Sequence, residues 1–226
     1  MTGILFDLDE TLIDRTSAVH QFCESLWHGQ KIERQMTLDA FTLRVLDLDR
    51  VGYTPRSEFF DQMWAEFRPY FSSKQDIEFS FYQSVWETPT LFDGVLENLS
   101  VLRAKHVPMG LVTNGSVKAQ SAKIEHSGIG PFFSVVVVSE AVGLKKPDSR
   151  IFQEALLDLG VDAEDCWFVG DHPVNDIWGS KQLGLNTGWV HHDRPWSVDV
   201  EPCFDIQGQG FSDVMSLVIP RVLASL

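Results

Sequence analysis

The stretch ILFDLDETLID, residues 4–14, joins two features that conflict. Ile4, Leu5 and Phe6 are consecutive apolar residues, the pattern of a strand buried on both faces. Asp7, Asp9 and Glu10 crowd directly behind them. Burying an unpaired carboxylate costs several kcal/mol or more. A core strand that ends in such a cluster therefore either reaches the surface there or holds something positive.

Outward from this strand, apolar runs of the same kind recur at PMGLVTN (108–114), FFSVVVVS (132–139), CWFVGD (166–171) and NTGWVHH (186–192). Helical patterns separate them: LENLSVLRAKH (96–106), SVKAQSAKIEHSG (116–128), PDSRIFQEALLDLG (147–160) and VNDIWGSKQLG (174–184). Several end in Gly, the expected helix stop. The run Val135–Val138 is apolar throughout, as suits a sheet covered on both faces. Strand and helix alternating at this length predict a parallel, doubly wound α/β sheet.

Residues 16–88 break the rhythm, with helical patterns and no convincing strand. They hold 14 of the 26 aromatic residues in about a third of the chain, which predicts a helical insertion with its own small core. Phe22, Trp27, Phe41, Phe60, Trp64 and Phe67 are the expected core residues. ETPTLFDG (87–94), with Pro89 and Gly94, reads as the return linker. The predicted organisation is a discontinuous α/β core, 1–15 and 89–226, with a helical domain at 16–88.

Composition narrows the function. The 226 residues, 44% of them hydrophobic, support a sizeable core. No apolar run approaches the roughly 20 residues that cross a bilayer, so no membrane partner is expected. The N-terminus lacks a basic region ahead of an apolar stretch, which makes a cytoplasmic location the default. A net charge of −14 argues against binding a nucleic-acid backbone. Cys23, Cys166 and Cys203 are odd in number and far apart, and read as ordinary thiols. Nothing in the pattern decides between monomer and homodimer.

Ligands of open α/β sheets bind beyond the carboxyl ends of the strands. The polar clusters fall at those ends: Asp7 and Asp9; Thr113, Asn114, Gly115 and Ser116; Lys146 in GLKKPD (143–148); and Asp171 with Asp176. Oxygen ligands without His or Cys favour Mg²⁺, which takes a few carboxylates plus substrate phosphate. Lys146, the Thr113 hydroxyl and the N–H groups around Asn114–Ser116 supply groups that bind phosphate at a helix start. A carboxylate beside metal and phosphate can attack phosphorus.

With these residues in view, the sequence resembles the haloacid dehalogenase superfamily in its phosphatase branch. FDLDETL (6–12) is similar to the first motif of that family, LVTNGS (111–116) to the second, KKPD around Lys146 to the third and VGDHPVND (169–176) to the fourth. The resemblance implies a Rossmann-like core and a helical cap between the first two motifs. It implies Asp7 as nucleophile and Asp9 as the acid, then base, of a phosphomonoesterase acting on a small phosphorylated metabolite. Asp7, the Asp9 carbonyl and Asp171 would hold Mg²⁺, with Asp176 in an outer role. Thr113, Asn114 and Lys146 would bind phosphate, although Asn114 reads equally well as a helix cap. A phosphomutase using the same nucleophile, or a binding domain that kept the fold, are the alternatives. Glu10 reads as a solvated turn residue, and His172, His191 and His192 as satisfied or exposed histidines. Arg15, His20, Arg44, Arg50 and Arg56 are the basic residues of the insertion considered as substrate contacts.

Overall fold

The computed structural model describes residues 2–197 and 199–226. They form two compact units, Met1–Asp14 with Leu91–Leu226, and Arg15–Thr90. The first unit begins with strand β1 (Gly3–Phe6), and the second contains α1 (Arg15–Gly29), α2 (Leu38–Asp49), α3 (Arg56–Phe67) and α4 (Lys74–Tyr82). The chain then returns to the first unit through α5 (Val95–Ala104), β2 (Met109–Thr113), α6 (Val117–His126) and β3 (Val135–Val138). It continues through α7 (Ser139–Val142), α8 (Ser149–Leu159), β4 (Cys166–Gly170), α9 (Gly179–Lys181), β5 (Asn186–Val190), β6 (Ile206–Gly208) and α10 (Phe211–Ala224).

The six strands are all parallel, in the order β3-β2-β1-β4-β5-β6. Alternation along each strand sends successive side chains to opposite faces. Ile4, Phe6, Leu111 and Val169 pack with Leu99 and Leu102 of α5 and with Val214, Met215 and Val218 of α10. Leu5, Val112 and Phe168 pack instead with Ile151, Phe152 and Ala155 of α8. Each such buried side chain contributes about 1.5–3 kcal/mol. Among the described residues, no helix is long and apolar enough to cross a membrane.

β6 and α10 go beyond the elements the sequence pattern announces. β6 is only IQG, and α10 carries Pro220 in its interior. β3 lies at the sheet edge, where Val136 is 44% exposed, so this apolar strand is not covered on both faces.

The insertion leaves and re-enters its host through a paired stem. Ile13 bridges Leu91 in antiparallel fashion, and Phe92 N donates to Leu12 O at 3.0 Å. Within the helical unit Phe22, Phe41, Phe59, Phe60, Phe67 and Phe81 are fully buried. Phe22–Phe81, Phe41–Phe67 and Phe60–Phe81 meet edge to face, the favoured geometry of ring quadrupoles. Trp27 and Trp64 are half-buried and so are not core residues. The Trp27 indole N–H donates to Met36 O at 2.9 Å, which keeps it at the boundary.

Arg15 falls in the helical unit rather than in the α/β core, for an electrostatic reason. Its Nη2 contacts both oxygens of the fully buried Asp49, at 2.8 and 2.7 Å. Arg56 Nη1 adds a contact at 2.8 Å, and Gly52 N donates at 2.8 Å. Burial pushes the Asp49 carboxyl up, but Arg15 and Arg56 outweigh it and hold the group below its usual range. Arg44 is likewise taken up, by Glu66 and Asp47. These three of the basic residues considered as substrate contacts have structural partners.

Asp49→Ala removes the carboxylate that Arg56 and the buried Arg15 both contact and is expected to cost about 3–5 kcal/mol of stability, read as a lowered denaturation midpoint. Because the folded-state value is depressed, the contribution of Asp49 is complete above the unfolded carboxyl value of about 3.9 and is lost as pH falls through the folded value. The stability gap between wild type and Asp49→Asn should therefore hold constant from pH 7 to about pH 4 and narrow only as denaturation curves are taken below that.

Candidate active site

Parallel strands deliver their carboxyl ends to one edge of the sheet. Phe6 pairs with Leu111 on one side and Val169 on the other, and Asp7 N donates to Val169 O at 3.0 Å. Asp7, Thr113 and Asp171 thus arrive on adjacent strands, and all three are buried. One carboxylate oxygen each from Asp7, Asp171 and Asp176 lies within 4.8 Å of the other two.

Lys146, 3% exposed, brings the positive charge. Its Nζ donates to Asp7 Oδ1 at 2.6 Å. It also lies 2.7 Å from Asp176 Oδ1, an ion pair that lacks hydrogen-bond alignment, so this buried oxygen has no hydrogen-bond donor. Asp176 Oδ2 accepts from the N–H groups of Asp171 and His172, at 3.1 and 2.9 Å. The arrangement depends on Gly170, because a β-carbon there would lie 2.5 Å from Asp176 Cβ.

Burial pushes the Asp7 carboxyl up to about 7, against the pull of Lys146 and with added repulsion from Asp176 and Asp9. Asp171 is raised well above the ordinary carboxylate value by burial and by Asp176 and Asp7, while Arg194 opposes the rise. Burial works against the Lys146 ammonium, but Asp176 and Asp7 overcome it and hold the group above its ordinary value. Two like charges at 4.8 Å repel by about 3 kcal/mol at an effective dielectric of 20. Three buried carboxylates, two paired with Lys146 and one with Arg194, therefore suit a small, hard divalent cation, to which each offers one oxygen.

Asp9 stands apart from this cluster through its side chain. Its two oxygens each lie 2.7 Å from Lys123 Nζ, and Gln120 Nε2 donates to Oδ2 at 3.0 Å. Gln120 Nε2 also donates to Thr113 Oγ1 at 2.6 Å. Asn114 is not the helix cap: that is Ser116, whose hydroxyl accepts from Ala119 N. The Asn114 side chain instead exchanges two hydrogen bonds with the Lys146 backbone, at 2.9 and 3.1 Å, and so anchors the lysine.

Glu10 is buried, not solvated, and sits at φ +61 in the tight loop where its N–H donates to Ile13 O at 2.8 Å. His192 Nε2 meets Glu10 O at 2.8 Å, and the ring stacks on Phe92. His172 Nδ1 accepts from Val174 N and Asn175 N, and burial lowers its pKa, so it caps the turn after β4 as a neutral ring. The sequence reading passed over Gln120, Lys123 and Arg194. Arg194 Nη2 reaches Asp171 Oδ2 at 2.8 Å. Gln120 and Lys123 had a signal: they are two of the three buried residues of α6, polar where an amphipathic helix buries apolar groups.

A profile of the haloacid dehalogenase-like hydrolase family matches residues 4–190, most of the chain and all four strand-end clusters. The chain belongs to the haloacid dehalogenase-like hydrolases. This hydrolase is 26% identical over 236 residues to a glyceraldehyde 3-phosphate phosphatase of Pyrococcus furiosus, covering 99% of this chain and 92% of the relative. It is 31% identical over 129 residues to the pyrimidine 5'-nucleotidase YjjG of Escherichia coli, covering 56% and 57%. Among solved structures, the HAD-hydrolase YfnB of Bacillus subtilis, bound to magnesium, superposes with a TM-score of 0.75 at 24% identity, covering 96% and 98%. That likeness speaks for the fold.

Gly170→Ala should cost about 1–3 kcal/mol, because the new methyl displaces Asp176 from its N–H partners. Gly29→Ala, where an added β-carbon meets nothing within 4 Å, is the control and should stay within about 0.5 kcal/mol in the same denaturation assay.

Proposed function

We propose that this hydrolase is a Mg²⁺-dependent phosphomonoesterase that acts on a small phosphorylated metabolite through an aspartyl-phosphate on Asp7. The observation that carries the reading is Lys146 Nζ, bound to Asp7 Oδ1 inside a buried three-carboxylate cluster. Such a cluster holds a cation and a phosphoryl group against a nucleophilic carboxylate. The names of the relatives, a triose phosphate phosphatase and a nucleotidase, support the same bond type.

In this reading an Asp7 oxygen forms a bond to phosphorus while the ester P–O bond breaks. The Asp9 carboxyl gives its proton to the departing oxygen. Asp9, now a carboxylate, takes a proton from water as the water oxygen bonds to phosphorus, and the Asp7–phosphorus bond breaks to restore the carboxylate. Lys146 neutralises the phosphoryl group and fixes Asp7. The Thr113 hydroxyl and the N–H groups at Asn114–Ser116 bind phosphoryl oxygens at the start of α6. Magnesium, for which Asp7, Asp171, Asp176 and the Asp9 carbonyl are the fitting ligands, neutralises charge on the phosphoryl group when bound.

The helical unit is the cap that selects substrate, supported by its insertion directly behind the Asp7–Asp9 loop through the Ile13–Leu91 stem. A cytoplasmic location is part of the same proposal. The substrate screen begins with triose phosphates and pyrimidine nucleotides.

Purified protein should release inorganic phosphate from 4-nitrophenyl phosphate. Chelation should stop turnover and added Mg²⁺ restore it. Asp7→Asn should lower kcat at least about a thousandfold. Retention of wild-type turnover by that variant sinks the aspartyl-phosphate reading. Transfer of the phosphoryl group to a second hydroxyl of the substrate, without phosphate release, identifies a mutase instead.

A further inference from the structure

A second buried cation stands one shell away from the carboxylate cluster. Lys123 is 3% exposed and Gln120 is 1% exposed, one helical turn apart on α6. A buried ammonium is costly unless its donors are met. Lys123 Nζ meets Asp9 Oδ1 and Oδ2, at 2.7 Å each, and Gln120 Oε1 at 3.0 Å. Three donors thus face three acceptors.

The bond from lysine fixes which end of the Gln120 amide points where. With Oε1 on the ammonium, Nε2 faces Asp9 Oδ2 at 3.0 Å, Thr113 Oγ1 at 2.6 Å and Asn114 O at 3.3 Å. Thr113 accepts this bond, so its single O–H is left to donate elsewhere. Gly115 makes the room, since a β-carbon there would lie 3.0 Å from Gln120 Cγ and Cδ. One amide therefore connects Asp9 to the hydroxyl at the end of β2. The Asp9 side chain is 22% exposed, so it is held from behind while remaining reachable.

We propose that Gln120 and Lys123 are positioning residues that hold the Asp9 carboxyl in register with the Thr113 phosphoryl site. The proposal rests on the reading of Asp9 as the proton donor to the leaving oxygen. Lys123 and Gln120 act through Asp9 and Thr113. Their effect is largest where protonation of the leaving group matters most.

The test compares kcat/KM for 4-nitrophenyl phosphate, whose phenolate leaves readily, with that for phenyl phosphate, whose phenolate leaves poorly without a proton. Asp9→Asn, Lys123→Met, Lys123→Gln and Lys123→Arg are measured beside wild type. Asp9→Asn should depress kcat/KM for phenyl phosphate at least about a hundredfold more than kcat/KM for 4-nitrophenyl phosphate. Lys123→Met should shift the ratio of the two kcat/KM values about tenfold or more, with the larger loss on phenyl phosphate, and Lys123→Arg should return the ratio towards wild type. If Lys123→Met does not fold, Lys123→Gln carries the measurement, because it removes the charge while keeping a polar, hydrogen-bonding end. A Lys123 variant that lowers both substrates equally marks a structural role, and one that raises phenyl phosphate turnover marks a brake. Either outcome overturns the proposal. Failure of Asp9→Asn to shift the ratio counts against the proton-donor reading itself, separately from the Lys123 result.

Discussion

Three buried carboxylates crowd the carboxyl edge of a parallel sheet, two of them on Lys146 and the third on Arg194, and much of the surrounding structure serves that contact. Asp7, Asp171 and Asp176 are all buried and repel one another. Lys146 offsets part of that repulsion, and neighbouring groups hold the lysine and the carboxylates in place. Asn114 clamps the lysine backbone through both ends of its amide. Gly170 leaves the space into which Asp176 folds back. Trp189 Nε1 donates to Asp171 O at 2.9 Å, tying the next strand to the same point. A buried polar group that loses its partner costs far more than a surface one, so these supports are as constrained as the carboxylates.

Asp7 and Asp9 lie two residues apart yet inhabit different surroundings. Asp7 extends β1, bonded to Val169 O, and faces Lys146 and the acidic cluster. Asp9 lies in the loop that turns back through Leu12 and Ile13, and it faces Lys123 and Gln120. Paired carboxyl groups in divergent environments are the usual physical basis for dividing nucleophile from acid. The difference in surroundings here is made by two lysines from different segments, each buried against one of the two aspartates.

The helical unit solves a separate stability problem. It has no sheet to pack against in its own fold, and it compensates with a phenylalanine cluster and a buried Arg15–Asp49–Arg56 ion group. The ion group joins the starts of α1 and α3 to the end of α2.

The alternation of apolar runs and helical patterns was enough to predict a parallel sheet with its polar residues on one edge, because buried parallel strands and amphipathic helices obey different periodicities. Asp7, Thr113, Lys146, Asp171 and Asp176 were legible because each follows an apolar strand or a short motif whose position along the chain marks a strand end. Glu10 was misjudged since burial of a loop residue depends on what folds over it, here the ring of His192 at its carbonyl. β6 escaped notice because three residues carry too little pattern. The pairing of Lys123 with Asp9, 114 residues apart, and of Arg194 with Asp171 was decided by tertiary structure alone. Local sequence fixes where a strand stops and which groups stand there. Which distant cation meets each carboxylate depends on how separate helices and loops pack, and no local periodicity encodes that distance.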